Sequence, residues 1–305
     1  MILSNVAPHQ SNHPPRCSFS WLSAFAVGIV AIGCSAGVFE DPVATVTVQL
    51  DRTGVPLGGP IEMAFQFVVS PEHQPLDEDL RVMVHFLDSN GNMMWAADHE
   101  PSVPTSQWQP GQTISYTRRA RVPMYPYVGD AVVAVGLYSP ATGERSVLVG
   151  DPLGQRAYQA TSVSLEPQSE SSLVYYQEGW HSDETDPQSN LLWRWTTEHA
   201  SLSFRNPSSD AVLYLELAGR PDLFDTGQKV EVRVGDHVVY EVQLESEENE
   251  FHEIPLSVDQ LGDDDSVTVD LYVDPAFVPA SVPDGSSADL RTLGVRVFYA
   301  FLEPR

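Results

Sequence analysis

The sequence predicts an all-β protein made of two antiparallel β-sandwich domains, the first immunoglobulin-like and the second jelly-roll-like. Three observations point there. Short segments alternating apolar and polar side chains, rich in Val, Ile, Thr and aromatic residues, recur through the body of the chain. Turn formers separate them, drawn from 24 prolines and 20 glycines. No comparable stretch keeps a helical period, so nothing supplies the crossover helices that a parallel sheet requires.

The first sandwich is assigned to residues 43–165. Its strands are read at "VATVTVQL" (43–50), "IEMAFQFVV" (61–69), "LRVMVHFL" (80–87), "MMWAAD" (93–98), "QTISYTRRARV" (112–122), "DAVVAVGLY" (130–138), "RSVLVG" (145–150) and "YQATSVSL" (158–165). The Asn90-Gly91 pair in "DSNGN" (88–92) predicts a hairpin in which both residues take positive φ. "WQPGQ" (108–112) breaks the chain before a strand, and "SPATGE" is a turn cluster. The polar tract "EPQSESS" (166–172) reads as a linker. The second sandwich, 173–305, holds "LVYY", "LLWRWT", "ASLSFR", "AVLYLEL", "KVEVRV", "HVVYEVQL", "FHEIPLSV", "SVTVDLYV" and "LGVRVFYAFLE". Gly235-Asp236 is read as a two-residue hairpin turn, "VDQLG" (258–262) as one helical turn, and 277–289 as a long loop delivering the last strand.

Charge excludes partners more than it names one. There are 42 acidic against 16 basic side chains, a net charge of −26, and the only lysine is Lys229. Such a surface repels phosphate backbones, so nucleic acid is not an expected partner. No polybasic patch is present to hold an anionic leaflet. Of the two cysteines, Cys17 and Cys34, neither lies in the body of the chain, so a disulfide framework and cysteine-type zinc sites are excluded there.

From Cys17 to Phe39 no residue is charged, and the apolar core of that run, Trp21 to Ile32, has the length of a signal-peptide h-region. Val30-Ala31-Ile32-Gly33-Cys34 resembles the lipobox of bacterial lipoproteins, with Ala31 where leucine is usual. The resemblance implies a signal peptide over 1–33, cleavage before Cys34, acylation of that cysteine and a tether over 34–42. Ser35 is not the aspartate of inner-membrane retention signals, which favours an outer-membrane anchor. Two alternatives stand: an uncleaved anchor helix, and an ordinary cleaved signal with Cys34 incidental.

"VGLYSPATGERSVLVGD" and "DLRTLGVRV" are similar to β-sandwich accessory domains that accompany bacterial envelope-polysaccharide machinery, including glycosyltransferases, and the whole chain resembles bacterial envelope lipoproteins with two sandwiches. The resemblance implies a non-catalytic, lipid-anchored binding or assembly module whose partner is envelope polysaccharide. The alternative is a structural subunit of an envelope protein complex with no ligand of its own; a hydrolase is a third reading. Sugar-binding sandwiches stack pyranose rings on aromatic side chains and bond the hydroxyls with polar ones. Trp180, Tyr125 and Tyr127 stand in expected loops, and Trp193 and Trp195 share one strand face. Core packing accounts for the same-face tryptophans too, and Trp95 and Trp108 read the same way.

For catalysis the sequence offers little. It contains no G-x-S-x-G, no H-E-x-x-H and no phosphate-cradling glycine loop, and histidines 73, 85, 99, 181, 199, 237 and 252 are scattered singly. Asp88, Asn90 and Asn92 imitate the start of a calcium loop, but a hairpin turn explains them; Asp263, Asp264 and Asp265 offer hard oxygen ligands where a solvated acidic turn would serve as well. No cofactor is expected.

Overall fold

The computed structural model describes residues 40–305 apart from 73, 188–190 and 284–286. The signal-type segment 1–33, Cys34 and the tether as far as Phe39 lie outside the described residues, as does His73. Among the described residues no helix is long and apolar enough to cross a membrane.

In chain order the first sandwich has β1 (Ala44–Leu50), β2 (Gly54–Pro56), β3 (Pro60–Val69), β4 (Arg81–Leu87), β5 (Met93–Ala96), β6 (Thr113–Arg121), β7 (Gly129–Tyr138), β8 (Asp151–Gly154) and β9 (Ala157–Glu166). One sheet runs β1-β3-β6 and the facing one β2-β9-β7-β4-β5, with β8 paired to β9. Alternation decides the faces: Val46, Val48, Phe65 and Phe67 point inward onto Val84, Phe86, Val133 and Val135. Each such side chain, fully buried, contributes about 1.5–3 kcal/mol. Trp108 and Trp95 join this core. Trp108 is wholly buried and tilts against Phe67, while Trp95 stacks on Phe86 at 4.2 Å.

The second sandwich continues with β10 (Tyr175–Tyr176), β11 (Glu184–Thr185), β12 (Leu192–Trp195), β13 (His199–Arg205), β14 (Ala211–Ala218), β15 (Gln228–Val234), β16 (His237–Leu244), β17 (Glu250–Leu256), β18 (Ser266–Asp274) and β19 (Arg296–Pro304). It is a nested hairpin rolled up. β15 pairs with β16, β14 with β17, β13 with β18 and β12 with β19, all antiparallel. The successive pairs fall in alternate sheets, β10-β13-β18-β15-β16 and β11-β12-β19-β14-β17, which is the jelly-roll pattern. Its own core, around Leu202, Leu215, Val232, Leu271 and Leu302, is separate from that of the first sandwich. The helical turn expected at "VDQLG" is present over Val258–Leu261, held by a reciprocal cap between Ser257 and Gln260.

Four local features depart from the sequence reading. Residues 145–150 form no strand of their own: Ser146 bonds to Leu137 in one sheet, and Val149 then pairs beside β1 in the other, so a chain switching sheets keeps only isolated bridges in each. β8, unforeseen, closes on β9 through Gln155 and Arg156, both with positive φ. In the 88–92 turn only Gly91 has positive φ, because the Asp88 carboxylate accepts from the backbone N–H groups of Asn90 and Asn92 and shapes the turn itself. The β2–β9 pair is parallel.

Side chains join the two sandwiches. Arg52 donates to both oxygens of Glu303 at 2.9 and 3.0 Å, and Tyr214 donates to the same carboxylate. Arg119 lies between Glu62 and Glu253, 4.2 Å over the Phe251 ring. Arg121 donates to the Phe298 carbonyl, and the Tyr299 hydroxyl to that of Gly58. Within 166–172, Ser171 and Ser172 are buried, and Ser172 donates to the Leu302 carbonyl at 2.7 Å. Arg52→Ala leaves Glu303, which is only 9% exposed, with the Tyr214 hydroxyl and Arg305 at 3.8 Å as its partners. The expected loss is about 2–3 kcal/mol, read as a lowered Tm; an unchanged Tm would show that the ion pair adds nothing.

Candidate functional site

Two loops at one end of the second sandwich build an aromatic pocket. The first, between β14 and β15, carries the short 3-10 turn Pro221–Leu223 and presents Phe224 just after it. The second, between β18 and β19, presents Phe277, whose backbone exchanges two 2.8 Å hydrogen bonds with Leu293. One buried side chain fastens both loops. Gln228 accepts from the Arg220 backbone N–H at 2.6 Å and donates to the carbonyls of Pro275 and Gly294 at 2.8 and 3.1 Å. Gly219 leaves room for that amide, since a Cβ there would stand 2.7 Å from its oxygen. Gln228→Leu would take the partner from three backbone groups, that of Gly294 buried and those of Arg220 and Pro275 half-buried, so about 2–4 kcal/mol of stability and the pocket's shape should be lost together. A normal melting curve for that variant would contradict this role.

The Phe277 ring meets Phe224 edge-on at 6.3 Å and Trp195 edge-on at 5.8 Å. Arg220 lies 6.0 Å above Phe277 and grips Asp222 with two bonds of 2.8 and 2.7 Å, which hold the Asp222 carboxyl below its ordinary pKa. The cavity so formed is about 610 Å³, lined by Asp222, Leu223, Phe224, Phe277, Val278 and Ser281 together with Val282 and Pro283. An apolar concavity with a few convergent polar groups is the usual form of a small-molecule site. A second cleft of similar volume, at the end of the first sandwich, is lined by Glu40, Glu144, Arg145 and Arg156. There Arg156 pairs with Glu40, and Arg145 and Arg156 bond to loop carbonyls, so both of its guanidinium groups are already engaged.

In the loop before β19, Asp289 and Arg291 pair. Arg291 also reaches Glu184 at 2.8 Å, and Glu184 accepts from the Trp195 indole at 3.3 Å. The Arg291 guanidinium, with its backbone N–H, draws the Asp289 carboxyl down from 3.8 to about 2. A carboxyl depressed in the fold contributes stability above its unfolded pKa and loses it as pH falls through the folded value. The loop should therefore loosen between pH 3.8 and about 2. Asp289→Asn should remove that step from an acid titration followed at the Trp195 indole resonance; an identical titration in the variant would contradict the assignment.

The residues singled out in the sequence fall into distinct places. Trp195 forms the wall behind Phe277, and Trp193 packs against Phe298 on the same outer face of β12. That face is not the core between the two sheets: Arg194, the residue between them, is paired with the core residue Val297 instead. Trp180 bridges to Thr196, beside Trp195, but its ring packs inward on the second core and donates to the Ser201 carbonyl at 2.7 Å. Tyr125 and Tyr127 belong to the first sandwich. Tyr127 holds its loop by donating to the Asp130 carbonyl, whereas Tyr125 is 36% exposed. Phe224 and Phe277 were not singled out; the available signal was an isolated aromatic among turn formers in "RPDLFDTG" and "DPAFVPAS".

Chemistry beyond binding finds few parts. His199 pairs with Asp270 at 2.8 Å and His85 lies 3.5 Å from Asp98, yet no serine or threonine hydroxyl bonds to either ring among the described residues. Also among the described residues, no three His, Cys, Asp or Glu side chains converge as metal ligands. At Asp263–Asp265 the loop is drawn together by Asn206, which donates to the carbonyls of Gly262 and Asp264 at 2.8 and 2.9 Å.

Fold and site together define a two-sandwich protein with a loop-end aromatic pocket. No family model matches the chain, and no curated protein matches it. Solved structures with some similarity include the tandem CBM22-1-CBM22-2 carbohydrate-binding module domain of Paenibacillus barcinonensis Xyn10C, at 10% identity over 86% of this chain and 91% of that one, TM-score 0.28. Others are the M60 catalytic domain with its CBM51 domains from Clostridium perfringens ZmpB (8%, 81% and 34%, TM-score 0.26) and the secreted serine protease VesC of Vibrio cholerae (10%, 86% and 51%, TM-score 0.25). The chain thus spans about a third and a half of the last two. At these scores the likenesses carry no argument about the pocket.

Proposed function

We propose that the protein is a non-catalytic binding module of a bacterial cell envelope, lipid-anchored through Cys34, that holds envelope carbohydrate in the pocket of the second sandwich. The observation that carries the reading is the pairing of aromatic and polar groups in one cavity. Phe224 and Phe277 supply ring surface for a pyranose, and Asp222 and Ser281 supply hydrogen bonds to its substituents. Outer-membrane attachment follows from the lipobox resemblance and Ser35.

The rival reading, a subunit of an envelope protein complex, draws on the loop after β6, where Met124 is 64% and Val128 53% exposed. One experiment separates the two. The full-length protein is extracted from its own membranes in mild detergent, and its intact mass and co-purifying material are identified. Polysaccharide that is lost on Phe277→Ala, with a chain beginning at acylated Cys34, agrees with the proposal. A stoichiometric set of proteins retained by Phe277→Ala, with no polysaccharide, would favour the subunit. A chain still beginning at Met1 would refute the lipid anchor.

A further inference from the structure

Among the described residues, six of the eight around the cavity are apolar, and the two polar ones, Asp222 and Ser281, are an acceptor already gripped by Arg220 and a single hydroxyl. A plain hexose carries a hydroxyl on nearly every ring carbon. With the ring seated here, the one directed at Leu223, Val278 and Val282 would find nothing to bond among these side chains, and an unpaired buried hydroxyl is unfavourable. A uronic acid or phosphosugar would bring an anion beside the Arg220–Asp222 pair, whose guanidinium already bonds both oxygens of Asp222, in a chain of net charge −26. An acetamido group suits the cavity better: its methyl is apolar, and its amide N–H is a donor for Asp222.

From this we infer that the pocket selects an N-acetylated sugar over plain, deacetylated and anionic ones. The inference rests on the carbohydrate reading of the same pocket and adds the substituent it recognises. The methyl packs on the Leu223–Val278 wall, the ring lies on Phe277, and the amide N–H donates to Asp222. Deacetylation replaces the methyl-bearing amide with an ammonium. That group would gain attraction from Asp222 but would have to shed its water against the aliphatic wall.

Calorimetric titration of the full-length protein in detergent with three trisaccharides of one linkage tests this: N-acetylated chitotriose, deacetylated chitotriose and cellotriose. The expected result is binding of the acetylated form at least about tenfold tighter than either of the others, the scale of one methyl group in an apolar pocket. Val278→Thr, which keeps the shape of the wall while adding a hydroxyl, should shrink that ratio severalfold. Equal binding of cellotriose, or tighter binding of the deacetylated form, would overturn the inference and leave the carbohydrate reading standing. A ratio untouched by Val278→Thr would place the discrimination outside this wall and overturn it as well. Failure of all three saccharides to bind would overturn both.

Discussion

Replacing Phe277 by alanine should abolish carbohydrate retention while leaving the second sandwich folded. The ring is the surface on which Phe224, Trp195 and Arg220 converge, and a central aromatic anchor commonly carries about 2 kcal/mol or more of a binding free energy. That corresponds to at least roughly thirtyfold in affinity. The fold has less at stake. Phe277 is attached through backbone bonds to Leu293 that alanine retains, and its side chain lies outside the second core. Loss of stability should stay near 1 kcal/mol. Mobility in gels containing the co-purified polysaccharide gives the affinity, and circular dichroism gives the fold. A variant that is folded and still retarded would place the binding surface elsewhere, with the open face around Tyr272 the next to test. There the Tyr272 ring stacks on His199 at 4.5 Å with Arg233 4.7 Å above it.

The largest stability effect should come from Trp108→Ala. The side chain is 0% exposed, packs at 5.2 Å on Phe67, and gives its indole N–H to the Val103 carbonyl at 2.9 Å. Truncation leaves a cavity and an unpaired carbonyl together, a combination expected to cost about 3–5 kcal/mol. Against a total of roughly 5–15 kcal/mol for a domain, that is a large fraction. Because the second core is separate, the loss should fall on the first sandwich, dividing thermal unfolding into two transitions with the lower one moved down. A single transition at the wild-type temperature would contradict both the packing role of Trp108 and the independence of the two cores.

How far the sequence could be read depended on the range of the interaction that decided each feature. Period-two alternation placed β1, β3, β13 and β18 correctly, because a strand with one buried face writes that face into its own residues. The helical turn at Val258–Leu261 was also legible, being decided within a few positions. The turn at Gln155-Arg156 was not, since it uses positive φ without the glycine or asparagine that normally announces it. For Trp193 and Trp195, alternation gave a shared face correctly, but could not say that it is the outer face of the sheet, against Phe298 and Phe277.

The pocket was the least legible part. Phe224 and Phe277 are distant in the chain, and what joins their loops is one amide, Gln228, bonding to Arg220, Pro275 and Gly294. A core glutamine beginning a strand carries no mark in the sequence of the loops it will hold. The shape of the site therefore resides in tertiary hydrogen bonds rather than in any motif.

The most direct measurement of the central claim is a crystal structure of the protein soaked with N-acetylated chitotriose. The result predicted is a sugar ring laid on Phe277, its acetamido N–H on Asp222 and its methyl against Leu223 and Val278. A saccharide bound on another surface with this pocket open, or none bound while the pocket is accessible to solvent, would contradict it.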